Sequence, residues 1–242
     1  MKIKGTERTI NLEHPTVQNV IEIAEDILSE NKVLDIDTLY TIAKRRLKIP
    51  RKGLLKIIKF LLHKKILIEG SKYTKETLLA NYIRNKIYKF IKNTNGAHFS
   101  FIKNSLKSIQ SSGQLIWHLE MLLKFKFIKK TKVGNFTIFM PIGTEDKVGI
   151  LNFFLKDEIT EKILICIGLQ KEIKRSSIYK VIDEEREHVY YRLNNLIENE
   201  ICEFLTEDKK CITISDEFND IISELVSTNE QIFKNLDNLL VD

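Results

Sequence analysis

Between residues 44 and 65 the chain carries ten basic side chains and no acidic one: Lys44, Arg45, Arg46, Lys48, Arg51, Lys52, Lys56, Lys59, Lys64 and Lys65. Ammonium and guanidinium groups at this density suit one task, the neutralisation of a polyanion. They hold phosphates as point charges and do not tell bases apart. The wider charge distribution points the same way. Residues 39–140 hold 23 Lys or Arg against 3 acids, a net of +20. Residues 141–242 hold 12 against 22, and residues 1–38 hold 4 against 8. The formal net charge of +6 hides this division into a polyanion-binding middle and a C-terminal part with another task.

A second group of residues could read bases as well as hold phosphate. Leu115, Leu119, Leu122 and Leu123 recur at helical spacing after the polar break Gln110-Ser111-Ser112-Gly113. At about 100° per residue, Gly113, Gln114, Trp117, Glu120, Met121 and Lys124 then face away from the core. A glutamine can pair bidentately with adenine, and an exposed tryptophan can touch a thymine methyl or a sugar. The other reading of Trp117 is a buried ring that anchors a domain interface. His118 flanks this face, where a hydrogen-bonded packing role is expected rather than base contact. Two β-rich runs, 127–131 and 136–140, meet at Gly134-Asn135, a pair suited to a hairpin turn. Lys129, Lys130 and Lys132 on that hairpin would lie near phosphates. The candidate nucleic-acid contacts are thus Lys44, Arg45, Arg46, Lys48, Arg51, Lys52, Lys56, Lys59, Ser111, Ser112, Gln114, Trp117, Lys124, Lys129, Lys130 and Lys132.

Other chemistry finds little support. There is no P-loop, no G-x-G-x-x-G, no H-E-x-x-H and no G-x-S-x-G, so catalysis is not expected. Five histidines (14, 63, 98, 118 and 188) are scattered without metal-ligand spacing. Cys166, Cys202 and Cys211 are odd in number, lack a C-x-x-C pair and read as core thiols. No cofactor and no metal are expected. Nothing approaches the roughly 18 apolar residues of a membrane span. Residues 1–9 also lack the apolar stretch of a signal peptide, so the expected location is the cytoplasm.

The elements that must position these residues are mostly helical. Val20, Ile21, Ala24, Ile27 and Leu28 mark a first helix. Asp37 is a candidate N-cap for a second, and Pro50 is expected just inside a third, which leads to a candidate strand at Ile66-Leu67-Ile68. This unit repeats. Shifts of 61 and 74 residues lay Leu54, Ile58, Leu61, Leu62 and Ile66 over Leu115, Leu119, Leu122, Leu123 and Phe127, then over Val189, Leu193, Leu196, Ile197 and Ile201. Residues 75–91 read as one helix opening the middle repeat. Residues 150–155 are too apolar for a plain linker and should pack against a neighbouring domain. Residues 202–205 and 211–214 read as strands.

Helix, turn, helix and hairpin is the order of a winged helix. Residues 96–141 also resemble the second domain of archaeal multi-winged-helix transcription regulators, through Gly96-Ala97-His98-Phe99 and Ser111-Ser112-Gly113-Gln114-Leu115-Ile116-Trp117-His118-Leu119. The expected fold is mainly α with small β-hairpin wings: three tandem winged-helix domains plus a C-terminal amphipathic helix. The expected boundaries are an N-terminal arm at 1–16, winged helices at 17–80, 81–143 and 144–215, and the C-terminal helix at 216–242. That last helix, with Phe218, Ile221, Ile222, Leu225, Ile232, Phe233, Leu236, Leu239 and Leu240, either packs on its own domain or forms a homodimer.

The resemblance implies duplex DNA as partner, gripped by the first two domains, in a regulator of transcription. The third domain carries Asp183, Glu184, Glu185, Glu187 and Glu198 where the others carry lysines. Phosphates would repel that face, so a protein partner or internal packing is expected there. The alternative is a non-enzymatic scaffold of an ESCRT-II-like or general transcription factor-like complex. Ligand or redox sensing has only the unpaired cysteines behind it.

Overall fold

A computed structural model describes residues 10–30, 32–205 and 207–233, with side chains up to residue 227. It is mainly helical, 59% helix, with two small antiparallel sheets of three strands each. The chain divides into two compact units, residues 1–89 with 106–128 and residues 90–105 with 129–242.

The first unit opens with α1 (Pro15–Ser29), α2 (Ile36–Leu47) and α3 (Arg51–His63). Their apolar stripes, among them Val20, Ala24, Leu39, Ala43, Leu54, Ile58 and Leu61, close into one core. Each fully buried Val, Leu or Ile side chain there contributes about 1.5–3 kcal/mol of burial energy. The N-cap of α2 is Asp35 and not Asp37: its carboxylate accepts from the Thr38 backbone N–H at 2.7 Å. Asp35 has the extended backbone a cap requires, whereas Asp37 already lies in the first turn. Pro50 sits one residue outside α3, where its carbonyl accepts from the Gly53 and Leu54 N–H groups.

Two expectations fail in this unit. Ile66, Leu67 and Ile68 form no strand; all three are buried, which the alternation of a half-buried strand forbids. The chain there is held instead by Leu34, whose N–H donates to the Ser71 carbonyl and whose carbonyl accepts from Gly70. The single helix expected at 75–91 is broken into α4 (Lys75–Leu78) and α5 (Tyr82–Thr94). Asn81 starts α5 by accepting from the Arg84 N–H at 3.0 Å, and the Arg84 guanidinium reaches back to the Leu78 carbonyl at 2.7 Å. The unit ends with α7 (Ser112–Lys124), capped by Ser111 accepting from Gln114.

The second unit holds β1 (Ala97–His98), α6 (Phe99–Ser105), most of β2 (Ile128–Val133) and β3 (Phe136–Pro141). The strand order is β1-β3-β2, with Ala97 opposite Phe139. Gly134 takes the positive φ of 54° that the hairpin turn demands. Residues 150–155 fall on and just after a helix, α8 (Asp146–Phe154), and Leu151 is buried in the core of this same unit. There follow α9 (Glu158–Gln170), β4 (Ile173–Lys174), α10 (Ile178–Val181), α11 (Arg186–Glu198), β5 (Cys202–Phe204), β6 (Cys211–Ile214) and α12 (Asp216–Phe233), with strand order β4-β6-β5. Phe218, Ile222 and Val226 of α12 are buried in the same core. Leu236, Leu239, Leu240 and the side chains of Ile232 and Phe233 lie outside the described residues, as do residues 1–9 of the expected arm.

The threefold repeat extends to the backbone. α3, α7 and α11 each have 13 residues and begin at Arg51, Ser112 and Arg186, in the register read from the apolar positions. Each is followed by a residue in the left-handed region: Lys65 (φ 57°), Lys126 (φ 55°) and Glu200 (φ 60°). Their N–H groups donate to Leu62, Leu123 and Ile197, and the next residues donate to Leu61, Leu122 and Leu196. Helical periodicity alone does not produce three identical exits of this kind. The sheets extend the comparison. β1 and β4 lie before the shorter helix of their repeats and pair with β3 and β6; in the first repeat Leu34 supplies only the two backbone bonds to residues 70 and 71.

Candidate nucleic-acid interface

α3 buries Leu54, Ile57, Ile58 and Leu61 and therefore turns Lys52, Leu55, Lys56, Lys59 and His63 outward, at spacings of three or four. Arg51 is exposed at its first turn. Lys44 and Arg45 are exposed at the end of α2, and Lys48 is exposed in the left-handed turn between the helices (φ 50°). No ion pair holds Lys44, Arg45, Lys48, Arg51, Lys52, Lys56 or Lys59 among the described residues. Arg46 differs: its guanidinium pairs with Asp26 at 2.6 Å on α1. Both partners are half exposed, so the pair adds little stability but offsets one positive charge.

α7 presents a different surface. Its outward stripe is Gly113, Ile116, Trp117, Glu120 and Lys124, with Ile116 47% and Trp117 44% exposed. Ile116 was not among the expected contacts. It lies three residues from Gly113 and so shares its stripe, while Gln114 and Met121 rotate to half-buried positions. The Gln114 carbonyl accepts from the Gln110 N–H at 2.9 Å, so one arm of a bidentate pair with adenine is already engaged locally. Ser111 is occupied as the helix cap, and Ser112 is half-buried.

Trp117 is neither free nor buried. The guanidinium carbon of Arg84 lies 4.8 Å from its ring centroid, and the same group lies 4.8 Å from the Tyr73 ring. Arg84 is fully buried, and its Nε and Nη2 have no hydrogen-bond partner among the described residues; the two ring faces partly replace water around the cation. The sequence offered no sign of this, because an arginine in a Lys-rich helix reads as solvated. His118 is buried edge-on to Trp117, a packing position, but its Nδ1 has no hydrogen-bond partner among the described residues. Burial, and secondarily the charge of Arg84, lowers its pKa and keeps the ring neutral.

On the hairpin, Lys130 and Lys132 share the exposed side of β2, while Lys129 is half-buried and paired with Asp146 at 2.6 Å. α11 occupies the place of α3 in its repeat and shows Glu187, His188, Tyr191, Asn194 and Glu198 to solvent. Its Arg192 is committed to Asp157 through two hydrogen bonds of 2.5 and 2.9 Å. Among the described residues no group of three or more His, Cys, Asp or Glu is arranged to hold a metal. Burial pushes the Cys166 thiol up to about 11 and raises Cys202 further, so both stay inert thiols. No helix among the described residues is long and apolar enough to cross a membrane. No family model matches the chain, and no curated protein matches it.

Proposed function

We propose that this chain is a non-catalytic, cytoplasmic DNA-binding protein and transcription regulator, built of tandem winged helices and similar to the archaeal multi-winged-helix regulators. Seven exposed cations at α2, the following turn and α3, without an ion pair among the described residues, carry this reading. A helix exposing Lys52, Lys56 and Lys59 along one stripe, opposite its core stripe, suits insertion beside phosphates. Three helices in register, two of them followed by a strand hairpin, support the winged-helix assignment. Lys124, Lys130 and Lys132 add positive charge; base reading falls to the Nε2 of Gln114 and the free edge of Trp117. The acidic α11 face is assigned to protein contact; α12 commits Phe218, Ile222 and Val226 to its own core, which favours internal packing over a homodimer through that face.

The direct test is a gel shift with short random-sequence duplex DNA and the triple variant Lys52→Glu, Lys56→Glu and Lys59→Glu. The expected result is loss of the shifted band with unchanged circular dichroism. Equal retention by both proteins would contradict the reading.

Ile116 and Trp117 favour a second reading. Two adjacent large apolar side chains, each nearly half exposed, suit a protein surface better than a DNA backbone. In that reading the chain is a scaffold resembling ESCRT-II or general transcription factor subunits. Flotation with anionic vesicles, run beside the gel shift, separates the two: vesicle binding without DNA binding favours the scaffold.

A further inference from the structure

The second unit contains a cavity of about 660 Å³ that the DNA-binding reading does not use. This volume is in the range of small-molecule sites. His98 from β1, Phe101 from α6, Phe136 from β3 and Phe153 from α8 line one part of it, and Lys156 and Arg192 bring cations. The rings form a connected cluster. His98 lies 5.2 Å from Phe136 and 5.6 Å from Phe153, both edge-on, and Phe136 lies 5.4 Å from Phe153. Phe136 is nevertheless 49% exposed, and Tyr191, on the α11 side of the cavity, is 68% exposed.

The charges decide what could enter. Arg192 and Asp157 neutralise each other through their two-pronged pair, and the carboxylate also caps α9 by accepting from Thr160; the other carboxylate of the lining, Glu198, is exposed to solvent. Lys156 has no such partner. Its ammonium donates to the Gly96 carbonyl and lies 5.3 Å over the Phe101 ring, with no carboxylate at ion-pair distance among the described residues. The residue as a whole is exposed, but desolvation of its ammonium end lowers its pKa to about 8. A ligand cation would meet Lys156 where an aromatic cage would otherwise receive it. His98 is held neutral by burial and by Lys156, and its Nδ1 has no hydrogen-bond partner among the described residues.

We propose that this cavity binds a small planar aromatic carboxylate, its ring against His98, Phe136 and Phe153 and its carboxylate on the Lys156 ammonium. A single unpaired cation matches one negative charge rather than the two of a phosphate monoester. Apolar walls alone would take a neutral aromatic equally well, so the preference for the anion is the signature of Lys156.

The test is calorimetric titration of the full chain with naphthoate and, separately, with naphthalene-methanol, its neutral counterpart. Naphthoate is expected to bind at least about tenfold more tightly, as one charge-assisted hydrogen bond implies. Lys156→Met, checked for folding by circular dichroism, should abolish that preference and leave the alcohol unaffected. Ring-proton NMR of His98 in the unmodified chain gives a readout that needs no variant, and its signals should shift on adding naphthoate. Equal binding of the two probes, no binding of naphthoate, an undiminished preference in Lys156→Met, or unmoved His98 signals would each overturn the proposal.

Discussion

The Arg84 guanidinium and the Trp117 ring lie 4.8 Å apart, centre to centroid, with Arg84 fully buried and Trp117 44% exposed. With no carboxylate at ion-pair distance among the described residues, the buried cation is held by two rings and the Leu78 carbonyl. The pair fixes the orientation of the only tryptophan in the chain, on the helix expected to read bases. Replacing Arg84 with Ala should remove both ring contacts and leave a void, costing about 3 kcal/mol. Urea denaturation followed by Trp117 fluorescence would measure it, with the native emission shifted to longer wavelength. An unchanged midpoint and spectrum would show that the stacking is incidental.

Asp157 provides a test in acid. The hydrogen bond from Arg192 is the main cause holding its pKa down to about 2; those from Thr160 help, and partial burial opposes them. A carboxylate with a lowered folded pKa stabilises the fold above its unfolded value, near 4, and that stabilisation fades as pH falls toward about 2. Discounted for the solvent that still reaches the pair, it is worth about 1 kcal/mol. Asp157→Asn should therefore be less stable than the unmodified chain at neutral pH by about that much, and the difference should shrink below pH 4. Thermal melts across this range would reveal a parallel offset if the pair contributes nothing.

Backbone strain at the repeat exits makes a third prediction. Glu200 holds the left-handed conformation that glycine adopts more readily, so Glu200→Gly should stabilise the chain by about 1 kcal/mol. Gly96 is the converse case. Its φ is 151°, and an added Cβ would lie 2.2 Å from the Gly149 carbonyl oxygen. Gly96→Ala should cost about 3 kcal/mol or more. Melting both variants side by side checks the signs, which should be opposite.

The three long helices were legible because each one writes its buried stripe at every turn, and the same five apolar positions return three times. What the sequence hid was set by contacts made at a distance or over too few residues. Lys129 reads as a free hairpin cation until Asp146 is brought against it. Ile66-Leu67-Ile68 reads equally as a strand or a buried turn, since three consecutive apolar residues have no period. The two-residue strands β1 and β4 are too short to show alternation. Burial of Arg84 leaves no local mark because it depends on rings supplied by Tyr73 and Trp117. The basic face around α3 was legible from charge alone, whereas on α7 a small rotation exposed Ile116 and half-buried Gln114.

Salt dependence of DNA affinity tests the central claim most directly. If the cations from Lys44 to Lys59 neutralise about six phosphates, affinity for a random-sequence duplex should fall by about 10³ between 50 and 200 mM salt. Anisotropy titrations across that range should give a steep linear log–log plot, shallower by about 0.9 per lysine in the Lys52, Lys56 and Lys59 charge-neutral variants. A flat plot, or one whose slope ignores those three lysines, would contradict duplex binding by this surface.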